Sequence, residues 1–134
     1  EVTPGKVVFL FGADGDRDTT KRFAMGNIAA TGADVVVITD YHPRSEDPAL
    51  IRAALIEGAH AATSGAVVIE EADVRSAIAR AISEAADGDA IIYAGPGHET
   101  EREVAGGTVD FHFRNEITQA LREAGFAPRE DDAE

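Results

Sequence analysis

The sequence has no cysteine and no tryptophan, a single methionine, and only 6% aromatic residues. Without cysteine there is no disulfide, no thiolate metal site and no cysteine nucleophile. So few rings also argue against the stacking platforms that hold single-stranded nucleic acid. Positive charge is in deficit: 12 Lys and Arg against 25 Asp and Glu leave a net charge of −13. That balance opposes a phosphate backbone but leaves room for a local basic patch around one small anion, so no nucleic-acid partner is expected. No apolar run approaches ~20 residues, which excludes a helical membrane span, and no signal-like start is present. A soluble, cytoplasmic domain with no membrane partner is the expectation. Also missing is G-x-x-x-x-G-K-[ST], so the chain does not cradle a nucleotide's phosphates unaided.

What is there, at 134 residues with 44% hydrophobic and 28% charged, suits one globular domain. Residues 1–127 are expected to form it, with 128–134 an acidic, apolar-poor tail that frays. Val7 to Phe11, Val35 to Ile38, Ala66 to Ile69 and Ala90 to Ala94 are short apolar runs suited to strands buried on both faces. Between them lie helical patterns. Phe23 to Ala30, with Met25 and Ala29 at i, i+4, is followed by Gly32 as a C-terminal stop. Pro48 to about Glu57 starts behind a capping Asp47 and is expected to end before Gly58. Asp73 to Ala86 carries Val74, Ile78 and Ile82 on one face. Glu103 to Asp110 has the Gly106-Gly107 pair of a tight hairpin, and a last helix covers about Arg114 to Ala124. Strands alternating with helices predict an α/β fold: a Rossmann-like, mainly parallel sheet flanked by helices on both faces, with the hairpin as a late antiparallel edge.

In such a sheet the loops after the first, second and fourth strands leave from one edge, where ligands bind. The first, Gly12 to Arg22, holds Asp14, Asp16 and Asp18 together with Arg17, Lys21 and Arg22. Its D-x-D-x-D spacing opens like a calcium loop, but Thr19 and Met25 stand where the glycine and the bidentate acid are needed. Asp16 to Thr20 also matches the D-x-D-x-T of haloacid-dehalogenase-like phosphatases. There the nucleophile directly follows a strand, and Asp16 lies well beyond Phe11. Solvated charge is the bland alternative for the cations. Against it, Lys21 and Arg22 begin a helix, the end the dipole makes unfavourable for cations, and an anionic ligand there would offset the misfit. The second loop is Thr39-Asp40-Tyr41-His42-Pro43-Arg44, whose guanidinium suits a carboxylate or phosphate. The third is Gly95-Pro96-Gly97-His98-Glu99, with glycines that let backbone approach a ligand and a carboxylate suited to an ammonium. His42, His60 and His112 lack the spacing of a metal cluster, so no metal site is expected in this chain.

Taken in order, the GDRDxxKR run, the Pro-Arg after the second strand and the G-x-G-H-E after a later strand resemble the C-terminal domain of Mur ligases of the UDP-N-acetylmuramoyl-tripeptide synthetase type, over Val7 to about Leu121. The resemblance implies one part of a three-domain, ATP-dependent amide ligase of peptidoglycan synthesis, with the P-loop on an absent central domain. It implies activation of the carboxylate of UDP-N-acetylmuramoyl-dipeptide as an acyl phosphate, attack by the amine of an incoming amino acid, and release of phosphate. ATP and Mg2+ would be bound mainly by the central domain, and the partners would be that domain and the N-terminal one. By the same resemblance Arg17 binds the amino acid's carboxylate, Tyr41, His42, Pro43 and Arg44 form the amino-acid recognition motif, and Gly95 and Glu99 hold the far end of its side chain. Lys21 and Arg22 would lie near the ATP phosphates, and catalysis is not expected from this chain alone. The family's Asp-Asn-Pro-Arg is here Tyr41-His42-Pro43-Arg44, its Gly-Lys-Gly-His-Glu has Pro96 for the lysine, and its Asp-Arg before the last helix is Phe113-Arg114. A diamino acid fits, whether diaminopimelate, lysine or ornithine, and the departures weigh against a standard diaminopimelate site. The alternative is a stand-alone Rossmann-like binding or regulatory module without catalysis.

Overall fold

The computed structural model describes residues 5–96 and 99–126. Their order is β1 (Val7–Phe11), α1 (Arg22–Gly32), β2 (Val35–Ile38), α2 (Pro48–His60), β3 (Val67–Glu70), α3 (Val74–Ser83), β4 (Ala90–Tyr93), β5 (Glu101–Val104), β6 (Gly107–Asp110) and α4 (Phe113–Glu123). Strands β1 to β4 form one parallel sheet in the order β3-β2-β1-β4. The chain steps outward from β1 to β3, then returns so that β4 lies on the other side of β1. The reversal makes the carboxyl ends of β1 and β4 the topological switch point, the place where α/β sheets open a crevice.

Every residue of β2, Val35-Val36-Val37-Ile38, is buried, because the central strands are covered on both faces. Val8, Leu10, Val35 and Val37 pack against Val74, Ile78 and Ile82 of α3 and Phe113 of α4. Phe11, Val36 and Ile38 pack on the opposite face against Ala29 and Ala30 of α1 and Ile51, Leu55 and Ala59 of α2. Asp47 caps α2 through the Ala49 amide, and Asp73 caps α3 through that of Ser76. The predicted parallel, helix-flanked sheet is therefore present, but β3 and β4, expected to be buried on both faces, are its edges and leave Val67, Ile91 and Ile92 exposed. The hairpin differs: β5 and β6 pair only with each other, as a second, antiparallel sheet. It delivers Phe111 and Phe113 into a ring cluster, their centroids 4.7 Å apart, with Tyr41 and Tyr93 each 6.0 Å from Phe113.

Some helix ends also differ. Gly58 does not stop α2, which runs on to His60. It is buried where α1 and α2 cross, and Gly26 of α1 is its counterpart. A Cβ on Gly58 would stand 1.9 Å from the Phe23 carbonyl oxygen, and one on Gly26 equally close to that of Leu55. The two glycines permit a backbone approach that no other residue allows. As a result α1 packs through Gly26, Ala29 and Ala30, and leaves Phe23, Met25 and Ile28 exposed. Gly32 is the last residue of α1 rather than a residue beyond it, and α3 ends at Ser83, before the expected Ala86. The expected tail, residues 128–134, lies outside the described residues.

Two loops at the switch point are tied together by one ion pair. Arg22, 4% exposed, donates through Nη1 and Nη2 to the two oxygens of Glu46, at 2.5 and 2.9 Å, and through Nη2 to the Asp14 carbonyl at 2.9 Å. Gly15 lies beneath Pro43, where a Cβ would meet the Pro43 carbonyl oxygen at 1.8 Å, and its amide donates to the His42 carbonyl at 2.7 Å.

Gly58→Ala is expected to destabilise the domain by roughly 2 kcal/mol through overpacking, despite the ~1 kcal/mol helix preference for alanine. A urea midpoint equal to or above the parent's would refute the close crossing. Hydrogen bonding to Arg22 holds the Glu46 carboxyl below its ordinary value of 4.5. A depressed folded-state pKa contributes stability that is complete above the unfolded value and fades as pH falls through the folded one. Glu46→Gln should therefore be less stable than the parent at neutral pH, with the gap closing as pH is lowered from about 4.5. Denaturation across that range checks the sign, and a gap that persists unchanged into strong acid would contradict it.

Candidate functional site

The site is built from the three loops at the carboxyl ends of β1, β2 and β4. The loop after β1 is held down at Gly15 and again at Asp16, whose carboxylate accepts from the Ser45 amide at 3.2 Å and hydroxyl at 2.7 and 2.8 Å. Asp18 caps the turn Thr19–Lys21, accepting from the Thr20 hydroxyl at 2.6 Å and the Thr20 amide at 2.9 Å, and these bonds keep its carboxyl below the usual range. The aspartates therefore mostly fix the loops. Only Asp14 touches the cations, through its carbonyl to Arg22 and a carboxylate oxygen 3.8 Å from Arg44.

Arg17 and Lys21 are exposed, and no hydrogen bond or ion pair engages either side chain among the described residues. Arg22 differs from expectation. The residue expected beside phosphate is buried and spent on Glu46 and Asp14, so the loop offers two cations to a ligand, not three. Its partner Glu46 lies 24 positions away, a pairing no local pattern signals.

The loop after β2 begins with buried Thr39, whose hydroxyl donates to the Ala72 carbonyl at 3.1 Å. Tyr41 donates to the Gly95 carbonyl at 3.3 Å and to Glu99, which ties the second loop to the third. Burial, with the bond to Glu99, pushes the Tyr41 phenol well above its ordinary range, so it remains a donor. His42 is buried: Nε2 lies 3.1 Å from Glu99 Oε2, and Nδ1 accepts the Glu103 amide at 2.9 Å. Pro43 is a buried wall over Gly15. Arg44 has φ 53°, and Asp16 across from it has φ 56°. Left-handed backbone is tolerated by Asp but unusual for Arg, and such residues persist where surrounding contacts over-determine them. Arg44 is held by its amide to the Glu103 carbonyl at 3.2 Å, by Nη1 to the Gly15 carbonyl at 3.0 Å and by Nη2 to Glu103 Oε2 at 2.9 Å. Tyr41, His42, Pro43, Arg44, Gly95 and Glu99 are thus brought together, while Gly97 and His98 lie outside the described residues.

Glu46, Ser45 and Glu103 complete this wall, and none was singled out in the sequence. Glu103 was legible only as part of a hairpin. Between the second loop and the hairpin is a cavity of about 240 Å³ lined by His42, Glu99, Thr100, Glu101, Glu103 and Thr108. A second, mostly apolar one of about 300 Å³ opens between β1, β4 and α1 beneath Gly12 and Gly95. No group of acids and histidines among the described residues could hold a metal ion. No helix among them is long and apolar enough to cross a membrane.

Comparison with known proteins gives this geometry a context. A UDP-N-acetylmuramyl-tripeptide synthetase of Leifsonia xyli subsp. xyli is 56% identical over 93% of this chain and 24% of its own length. A UDP-N-acetylmuramoyl-L-alanyl-D-glutamate--2,6-diaminopimelate ligase of Chelativorans sp. is 46% identical over 90% of this chain and 24% of its own. A solved structure of a ligase of that name superimposes with a TM-score of 0.83 at 34% identity, covering 93% of this chain and 25% of that one. The chain spans about a quarter of the length of the curated relatives it matches. Residues 1–97 match the family described as Mur ligase, glutamate ligase domain, and the chain belongs to that family.

Proposed function

We propose that this chain is the amino-acid-binding domain of an ATP-dependent ligase that extends UDP-N-acetylmuramoyl-dipeptide by one diamino acid in cytoplasmic peptidoglycan synthesis. What supports this reading is that, in a chain of the Mur ligase family, two exposed cations on the loop after β1 and the exposed Glu99 carboxylate after β4 leave from the same end of the sheet. Arg17 binds the incoming amino acid's α-carboxylate. Glu99, beside Gly95, receives the distal amine. Lys21, exposed at the start of α1, faces phosphate.

ATP and Mg2+ would be held mainly by a central domain. Under that division Lys21, exposed at the start of α1, suits a phosphate oxygen. Bound there, ATP supplies the phosphoryl group that activates the dipeptide carboxylate. This chain's residues hold the amine donor in line with that carboxylate, and positioning of this kind lowers the barrier. Arg44 acts on the recognition loop, holding Gly15 and Glu103, more than as a free cation.

Arg17→Ala in the full-length ligase is expected to raise KM for the amino acid by about tenfold or more, the loss of one charge-assisted bond, with KM for ATP little changed. Lys21→Ala is expected instead to lower kcat. Amino-acid-dependent phosphate release measures both, and an unchanged amino-acid KM in the first variant would remove Arg17 from the site. The purified chain alone is expected to show no turnover, and nucleotide hydrolysis by it would contradict the division of labour.

A further inference from the structure

The donors and acceptors around the 240 Å³ cavity are unevenly committed. The Nδ1 of His42 accepts the Glu103 amide, so in the neutral ring the proton is on Nε2 and is donated to Glu99 Oε2. Tyr41 donates to Glu99 Oε1. Each carboxylate oxygen is thus held by one donor from the second loop, leaving about half of its roughly four lone-pair sites free. The Glu99 side chain is 43% exposed, and it lines the cavity. The acceptor is fixed and open.

Most of the donors beside the cavity are already engaged. Tyr41 and both ring nitrogens of His42 are spent on Glu99, Gly95 and Glu103. Arg44 has one terminal nitrogen on the Gly15 carbonyl and the other on Glu103. Arg102 donates from Nε to the Tyr41 carbonyl and lies 5.9 Å from the centre of the Phe111 ring. The cavity lining itself holds Glu99, Glu101 and Glu103 and no lysine or arginine. A carboxylate entering here meets three glutamates in the lining, whereas an ammonium meets free carboxylate lone pairs.

We infer that Tyr41 and His42 are positioning residues that hold Glu99 for a distal ammonium. We infer with it that this wall selects an amino acid whose side chain ends in an amine without a second carboxylate, as lysine and ornithine do. The inference rests on the reading of this chain as the amino-acid-binding domain.

The test is phosphate release by the full-length ligase with ATP and UDP-N-acetylmuramoyl-dipeptide, offering lysine, ornithine, meso-diaminopimelate or alanine. Lysine or ornithine should exceed diaminopimelate by at least about tenfold in kcat/KM, one unit of decadic selectivity. Equal or greater activity with diaminopimelate overturns the selectivity inference while leaving the ligase reading intact. Stimulation by none of the three diamino acids sinks that reading and the inference with it. His42→Asn keeps an acceptor for the Glu103 amide but loses the donor to Glu99. It should raise KM for the preferred diamino acid about tenfold, with kcat and KM for ATP within about twofold. His42→Gln, whose amide reaches the Nε2 position, should recover most of that loss. Tyr41→Phe removes only a hydroxyl, keeps the ring packing, and should raise the same KM several-fold. Unchanged KM in a folded His42→Asn and in Tyr41→Phe would overturn the positioning role.

Discussion

A buried guanidinium between two loops is the interaction on which the rest of the site depends. Arg22 is at the first position of α1 and Glu46 is two residues before α2 begins. Their pairing therefore sets where two helices and two loops lie relative to each other. Burying a charge is costly unless its partners are complete, and here both oxygens of Glu46 and the Asp14 carbonyl receive the guanidinium. A lysine cannot reproduce that planar fork. The clamp also explains why the helix start carries a cation at the unfavourable end of the dipole: a neighbouring carboxylate offsets the misfit, where the sequence suggested a phosphate.

With the loops clamped, the backbone between them can be held in conformations a free loop would not keep. Asp16 and Arg44 are both left-handed, and each is pinned by the other's loop: Asp16 by Ser45, Arg44 by the Gly15 carbonyl. Gly15 is the hinge of this arrangement, since any side chain there would drive into the Pro43 carbonyl. The energy stored in the two residues, about 1–3 kcal/mol each, is offset by these cross-loop bonds. What is gained is a wall whose side chains are set before any ligand arrives, and preorganisation of this kind lowers the ordering cost of binding.

The features legible in the sequence were those written in neighbouring residues. Val7 to Phe11 and Val35 to Ile38 are strands because continuous apolar runs of that length suit burial on two faces. Asp47-Pro48 and Asp73 marked helix starts through local capping. That three polar loops share an edge followed from a parallel sheet alone. What remained illegible depends on distant partners. Gly58 has the look of a helix stop until α1 is packed against it. Arg22 has the look of a ligand residue until Glu46 is beside it, and the apolar Phe23, Met25 and Ile28 suggest a core that Gly26 and Ala29 supply instead. The hairpin's local turn was readable, but its separation from the main sheet was not, because pairing partners are a property of the whole chain.

The division of the loop cations follows from the charge of the domain. With a net charge of −13, a carboxylate is rarely far from any cation, and pairing with it is the default fate. Arg22 and Arg44 have met that fate, one with Glu46 and the other with Glu103. Arg17 and Lys21 have not, although they sit in the same loop as three aspartates. The reason is geometric: Asp16 is committed to Ser45 and Asp18 to Thr20. With those acids held by backbone and hydroxyl donors, neither exposed cation forms an ion pair among the described residues. Two exposed cations outside any ion pair therefore remain at the end of β1, where the sheet reverses direction.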